Sequence, residues 1–533
     1  MFDIIIRNGH IVNGTGNTWY KADIGIRKDT IEKIGRLEKE QATRIIDAKG
    51  LVVCPGFIDM HSHSDFALLI NPKADSKIHQ GITTEVIGNC GGSAAPLNDP
   101  LKDEIIKTTP LFEEAKLELN WQTMREYLER LKRQGIALNV APLVGHENIR
   151  VLAIGFDDRA PTDAELRKMK KTLRQAMEDG AFGMSTGLIY PPGCYAKTDE
   201  LIELSKAVAK HGGIYTSHIR GEGNELLSSV KEAIKIGERA RLPVEISHHK
   251  AGGKDNWGKV KRTLKMMEEA RARGIDVTCD VYPYTAGSFG LSAMVTPWAH
   301  EGGSPKLIER LKTPEIRKRL KKEMQKGTPT WSSPVKAAGW DDTLIARSTR
   351  HKEYEGKTVA EIADAKKVDP YEFTFDLLIE ENASVSVVRF AMCEEDVRTV
   401  VMHPATMIGT DASAIAPHGV LGKGKPHPRA YGTFPRVLGK YVREEKVLRM
   451  EDAVRKMTSL PAQKLGLRDR GLIAEGMKAD ITIFSPAEVA DKATYTVPHQ
   501  YPQGVEYVLV NGKVVINKGR HTGTLGGKAL RKP

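Results

Sequence analysis

GFIDMHSH (56–63) is a short apolar run that ends in two histidines spaced i, i+2. Side chains two apart on a strand share a face, so His61 and His63 can address one metal ion if the run is a strand. Seven further runs have the same texture: TTEVIGNC (83–90), ALNVAPLVGH (137–146), AFGMSTG (181–187), GIYTSHI (213–219), VEISHHK (244–250), DVTCDVYPY (276–284) and TMIGTD (406–411). Stretches with helical periodicity lie between several of them, such as ELIELSKAVAKHG (200–212) and VKEAIKIGERARL (230–242). Eight strands alternating with helices predict an α/β chain folded as a TIM (β/α)8 barrel. A ninth candidate, VSVVRFAM (385–392), must be an extra strand or displace one of the eight.

The chain ends differ from this middle. FDIIIRNGHIV (2–12), ADIGIRKDTIEKIG (22–35) and TRIIDAKGLVV (43–53) read as strands joined by glycine-containing turns. RGLIAEGMKADITIFSP (470–486) and GVEYVLVNGKVVINKG (504–519) repeat the texture. Neither end has enough strands to bury a core alone, so together they predict a small β-sandwich domain. The division is 1–54 and 467–533 for that domain, and 55–466 for the barrel. The stretch 285–350, rich in Gly, Pro and Trp without clean periodicity, reads as an insertion over the barrel mouth.

Active sites of such barrels form at the C-terminal ends of the strands. The candidate strands end there in residues with metal or acid-base chemistry. Cys90 closes the second, in GNCGG; His218 the fifth, in TSHIR; His248 and His249 the sixth, in ISHHK; Asp411 the last, in IGTD. One such residue alone is more often packing or surface, but five strand ends carrying them exceed coincidence. Neighbours on a strand point to opposite faces, so only one of His248 and His249 faces the cavity. Ser-His recurs in TSHIR and ISHHK, which selects His248 and places Lys250 on the same face.

Composition narrows the alternatives. Net charge is +12, yet basic and acidic residues interleave, as in KKTLRQAMEDG (170–180) and RKRLKKEMQK (317–326), which reads as solvated helix faces rather than a nucleic-acid surface. No run is apolar enough to span a bilayer, and no signal-peptide pattern opens the chain, so a membrane partner is not expected and a cytoplasmic location is. The five cysteines are odd in number and widely spaced, against a disulfide framework. Cys54, Cys194, Cys279 and Cys393 read as buried filler, and His146, His211, His403, His418 and His427 as structural or exposed. The partner implied is a small molecule; no feature sets the oligomeric state.

Nine stretches resemble the N-acyl-D-amino-acid deacylases (D-aminoacylases) of the metal-dependent amidohydrolases. They are PGFIDMHSHSD (55–65), VIGNCGGSAAP (86–96), MSTGLIYPPG (184–193), TSHIRGEG (216–223), ISHHKAGGKDNWG (246–258), VYPYTAGS (281–288), IGTDAS (408–413), HPRAYGTFPRVLG (427–439) and MTSLPAQKLGL (457–467). The resemblance runs through nearly the whole chain. It implies Zn2+ held tightly by Cys90, His218 and His248, with His61 and His63 forming a second, weaker site that Cys90 bridges. It implies Asp411 as general base and acid for a metal-activated water. Substrate contacts implied are Tyr190, Lys250 and Tyr282, with Arg389 or Arg398 for the α-carboxylate. The fourth strand offers no lysine that could be carbamylated to bridge two metals, in keeping with a Cys90-based site. The chain departs from the family wording with GTD for GSD and SHIR for THMR, neither of which removes a ligand. The implied activity is hydrolysis of N-acyl-D-amino acids. A D-/isoaspartyl dipeptidase or a cyclic amidase of the hydantoinase kind is the alternative.

Overall fold

Parallel strands run through the middle of the chain, and helices separate most of them. The structure, a computed structural model, describes residues 1–109, 111–328 and 331–532. Phe57–Asp59, Ile82–Ile87 and Asn139–Pro142 pair in parallel in that order. Leu143 then interrupts the third strand, and Val144–Gly145 continues it into a second parallel run: Gly183–Gly187, Ile214–His218, Val244–Ile246, Val277–Val281 and Thr406–Ile408. The outer strands of the two runs meet. Met60 N donates to Ile408 O at 3.3 Å, and Ser62 bridges Ala412 in parallel. Every residue of these strands is buried. Burial on both faces is why these parallel strands show no apolar–polar alternation, and their polar residues, such as Thr84, Glu85, Asn139, Thr216 and Glu245, are buried too.

The intervening helices cover the strands with one apolar face. Leu226–Ala240 buries Leu226, Val230, Ala233, Ile234 and Gly237, a spacing of three and four that keeps them on one side. Asp163–Glu178 begins where Thr162 and Glu165 exchange hydrogen bonds in a capping box, satisfying two backbone donors at the helix start.

Both chain ends enter one nine-stranded sheet. Val52–Pro55 pairs antiparallel with Ile481–Phe484, and Ile4, Ile6, Ile24 and Ile26 pack with Ile481, Ile483 and Leu509. Isoleucine supplied by the first fifty residues thus shares one core with side chains from the last sixty.

The insertion is longer than 285–350. Ser386–Phe390, inside the ninth candidate strand, is the middle strand of an antiparallel sheet with Ala286–Gly290 and Thr343–Arg347. It is therefore an extra strand and displaces none of the eight. The insertion carries its own apolar cluster, including Leu291, Leu311, Trp340, Phe375 and Val387, which holds it as a unit as far as residue 387. Among the described residues no helix is long and apolar enough to cross a membrane.

Candidate active site

Cys90 Sγ is the centre of the site. It lies 3.3 Å from His61 Nε2, 3.4 Å from His248 Nε2 and 3.6 Å from His218 Nδ1. The ligand atoms form two overlapping groups, Cys90 with His218 and His248, and Cys90 with His61, His63 and Asp411; within each, all lie within 4.8 Å of one another. Asp411 Oδ1 stands 2.9 Å from His63 Nε2 and 3.4 Å from His61 Nε2. Four strand ends far apart in sequence thus meet at one thiol.

Most of these residues sit just beyond their strands, where the backbone turns. Cys90, His248 and Asp411 have φ of 51°, 35° and 49°, a left-handed conformation uncommon for residues with a β-carbon. Three such residues at one point mark a backbone held against its local preference, as functional sites often are. The sixth strand ends at Ile246, so strict alternation does not decide between the two histidines. The turn does: His248 faces Cys90, while His249 is buried behind it with Nε2 2.8 Å from Thr263 Oγ1.

A surrounding layer fixes the imidazoles. Asp280 Oδ2 lies 3.2 Å from His61 Nδ1, and Asp280 Oδ1 accepts from His248 N at 2.9 Å. Glu222 Oε1 lies 3.0 Å from His248 Nδ1 and accepts from Lys250 Nζ at 2.6 Å. His61 and His248 therefore present Nε2 to the thiol because Nδ1 is occupied, the usual way a protein orients metal-type histidines, whereas His218 presents Nδ1. His218 Nε2 is buried with no hydrogen-bond partner among the described residues.

The electrostatics favour anions at the centre. Burial alone would push the Cys90 thiol up, but the neighbouring His61 and His248 outweigh it and hold it well below its ordinary range. Burial would likewise raise Asp411; Arg429, His248 and His61 hold its carboxyl well below the usual range instead. Glu147, close by on the cavity wall, has no such partner. Burial, aided by Cys90, pushes it well above the carboxylate range, and its Oε1 has no hydrogen-bond partner among the described residues.

A cavity of about 1660 Å³ opens onto the cluster. Tyr190, Lys250 and Tyr282 line it: Tyr190 stacks edge-on with His218 at 5.0 Å, and Lys250 Nζ lies 5.5 Å from the Tyr282 ring centre. Arg389 lines it too, from the insertion sheet. Arg398 does not. It sits on the outer helix Glu394–Met402, whose inward face is Val397, Val400 and Val401, and it pairs with Glu445 at 2.6 Å. The arginine nearest the cluster is Arg429, absent from the sequence candidates: Nη1 is 2.7 Å from Asp411 Oδ2, and the guanidinium lies 4.5 Å over Tyr282. Its signal was present in HPRAYGTFPRVLG, as that of Glu222 was in SHIRGEG.

Comparison with known proteins agrees with this geometry. The sequence model of the amidohydrolase family matches residues 44–516. The chain is 37% identical to an N-acyl-D-glutamate deacylase of Alcaligenes xylosoxydans xylosoxydans, over 96% of this chain and 93% of that one. It is 35% identical to a D-aminoacylase of the same organism, over 100% and 98%. Among solved structures it resembles the N-acyl-D-glutamate deacylase of Bordetella bronchiseptica, complexed with zinc and a phosphonate inhibitor that mimics the tetrahedral intermediate. The TM-score is 0.83 and the identity 35%, with 99% of each chain covered.

Proposed function

The chain belongs to the amidohydrolase family, and on that premise we propose that it hydrolyses the amide bond of N-acyl-D-amino acids, yielding a carboxylate and a D-amino acid. The observation that carries the reading is one thiolate, Cys90, shared between two groups of imidazoles with Asp411 alongside. Thiolate and imidazole donors suit zinc, and the convergence of His218 Nδ1 and His248 Nε2 on the Cys90 thiol, itself held well below its ordinary range, fits a cation at this point. Cys90, His218 and His248 would hold the tight zinc, and His61 and His63 with Cys90 a second, weaker one. Zinc bound there supplies polarisation of the scissile carbonyl and a water acidic enough to react near neutral pH.

The chain's own residues do the rest. Asp411, held as carboxylate by Arg429, accepts the proton of the attacking water and returns it to the leaving amine nitrogen. Lys250, Tyr282 and Arg429 cluster at the Asp411 side of the cavity, and we assign Arg429 in place of Arg398 to the substrate α-carboxylate. Tyr190, edge-on to His218, faces the reacting carbonyl. We read the eight parallel strands, closed by Met60 and Ser62 against Ile408 and Ala412, as a (β/α)8 barrel over 55–466. Residues 1–54 and 467–533 form the small β-domain beside it. Five free cysteines suit the cytoplasm.

The test is hydrolysis of paired N-acetyl-D- and N-acetyl-L-amino acids, with metal content assayed on the same sample. Zinc-containing protein that releases only D-amino acids supports the reading. Zinc with no turnover of either enantiomer refutes it and moves the substrate to a cyclic amide or a dipeptide.

A further inference from the structure

Two arginines of the cavity wall have a buried Nε without an acceptor among the described residues, Arg429 and Arg389. They differ in one respect. Arg429 is ion-paired with Asp411, whereas Arg389 meets only the carbonyl oxygen of Pro334 and has no carboxylate in ion-pair distance among the described residues. Loss of water pulls its pKa down to about 10, and the more distant Glu222 and Asp342 offset only part of that. Arg389 is half-buried with its Nε shut off from solvent, and a guanidinium in that position keeps its charge and is costly to leave unpaired, so its counter-ion is expected from outside the chain.

Its position says which part of a substrate brings that counter-ion. Arg389 is opposite Gly287 in the antiparallel register, and Arg429 Nη2 donates to the oxygen of Ser288 at 3.2 Å. A β-carbon at 287 would stand 3.3 Å from the Tyr282 hydroxyl. Both arginines therefore flank one short segment beside Tyr282, on the side of the cavity assigned above to the α-carboxylate. We propose that Arg389 binds a second carboxylate of the amino-acid moiety, so that the substrates are N-acyl derivatives of D-dicarboxylic amino acids. The proposal rests on the deacylase reading and adds the side-chain class to it.

The experiment measures kcat and KM of the zinc-loaded enzyme on N-acetyl-D-glutamate, N-acetyl-D-aspartate, N-acetyl-D-methionine and N-succinyl-D-leucine, for wild type, Arg389→Met and Arg389→Lys. The wild type should prefer a dicarboxylic D-amino acid. Arg389→Met should raise KM for that substrate about 100-fold, the order expected for truncating one partner of a buried charge pair, and leave the methionine substrate unaffected. Arg389→Lys should restore part of the loss. Free D-glutamate or D-aspartate should also inhibit the wild type more strongly than D-methionine, a measurement that needs no variant. The proposal is overturned if N-acetyl-D-methionine is the best substrate, or if Arg389→Met weakens all substrates equally. It is also overturned if the succinyl substrate alone depends on Arg389, which would put the second anion on the acyl side. Absence of turnover on every substrate instead refutes the deacylase reading, and the proposal with it.

Discussion

The two walls of the cavity are built on opposite plans. On the strand-end side, each metal-type imidazole facing Cys90 through Nε2 has its other nitrogen engaged, and the backbone around Asp411 is tied from behind by a buried lysine. On the insertion side, Arg389 projects from an antiparallel sheet with its own apolar cluster and makes one hydrogen bond to a carbonyl. The first wall is overdetermined, as a site for chemistry must be to keep its geometry through turnover. The second leaves bonding capacity open, as a site for substrate choice must. Substitutions on the strand-end side should therefore change kcat, metal content or stability, and substitutions on the insertion side should change KM.

The largest effect should come from Asp411→Asn. The amide keeps the shape but cannot accept a proton, so kcat should fall by about a thousandfold, within the usual range for loss of a positioned base. Zinc content and the unfolding transition should stay near wild type. Retained turnover would remove Asp411 from its role and place proton transfer elsewhere.

Lys77→Met should act on stability instead. Lys77 is fully buried; its Nζ bonds Asp59 at 2.7 Å, Thr410 Oγ1 at 2.6 Å and Ala412 O at 2.7 Å, with Glu85 at 3.4 Å. It thus grips the residues on both sides of Asp411. Removing it leaves Asp59 and Glu85 buried without their cation, and unfolding in urea should show a loss of about 3–5 kcal/mol. A loss below 1 kcal/mol would mean that water or a rearranged hydrogen bond replaces the ammonium.

These two residues show what a sequence reveals about such a site. Asp411 is legible because it is a residue with metal or acid-base chemistry at the C-terminal end of a candidate strand, and so are Cys90, His218 and His61: that is the end at which barrel sites form. Lys77 is not, because SKIHQG reads as ordinary helix and turn, and the partners that define the lysine come from sequence positions up to 335 residues away. Asp280 is hidden similarly, inside a strand whose neighbours are all core, with its histidine 219 residues distant. The eight parallel strands could be read from hydrophobic runs. The insertion's extent could not, since Ser386–Phe390 has the same composition as a barrel strand and only its antiparallel pairing separates it.

Glu222→Gln probes the layer behind the ligands. Glutamine keeps the size but loses the charge that orients His248 and holds Lys250. Zinc affinity, measured by competition with a chelator, should fall by about 10- to 100-fold, the usual cost of losing an outer-shell partner. An unchanged affinity with a raised KM would mean that Glu222 serves Lys250 and the substrate rather than the metal.

The smallest effect separates the two arginines that looked equivalent in sequence. Arg398 is nine residues beyond Arg389, yet it lies on the outer helix with Glu445 and lines no part of the cavity. An exposed ion pair of this kind is screened by water and contributes little, so Arg398→Ala should leave kcat/KM within about twofold of wild type on every substrate. Arg389→Met, at the other end of the same short segment, should separate dicarboxylic from apolar substrates. If Arg398→Ala instead reproduced that separation, the helix Glu394–Met402 would have to communicate with the cavity through Glu394, which meets Tyr441 at 2.6 Å and Lys440 at 2.7 Å. The division of labour between the two walls would then extend past the residues that face the substrate.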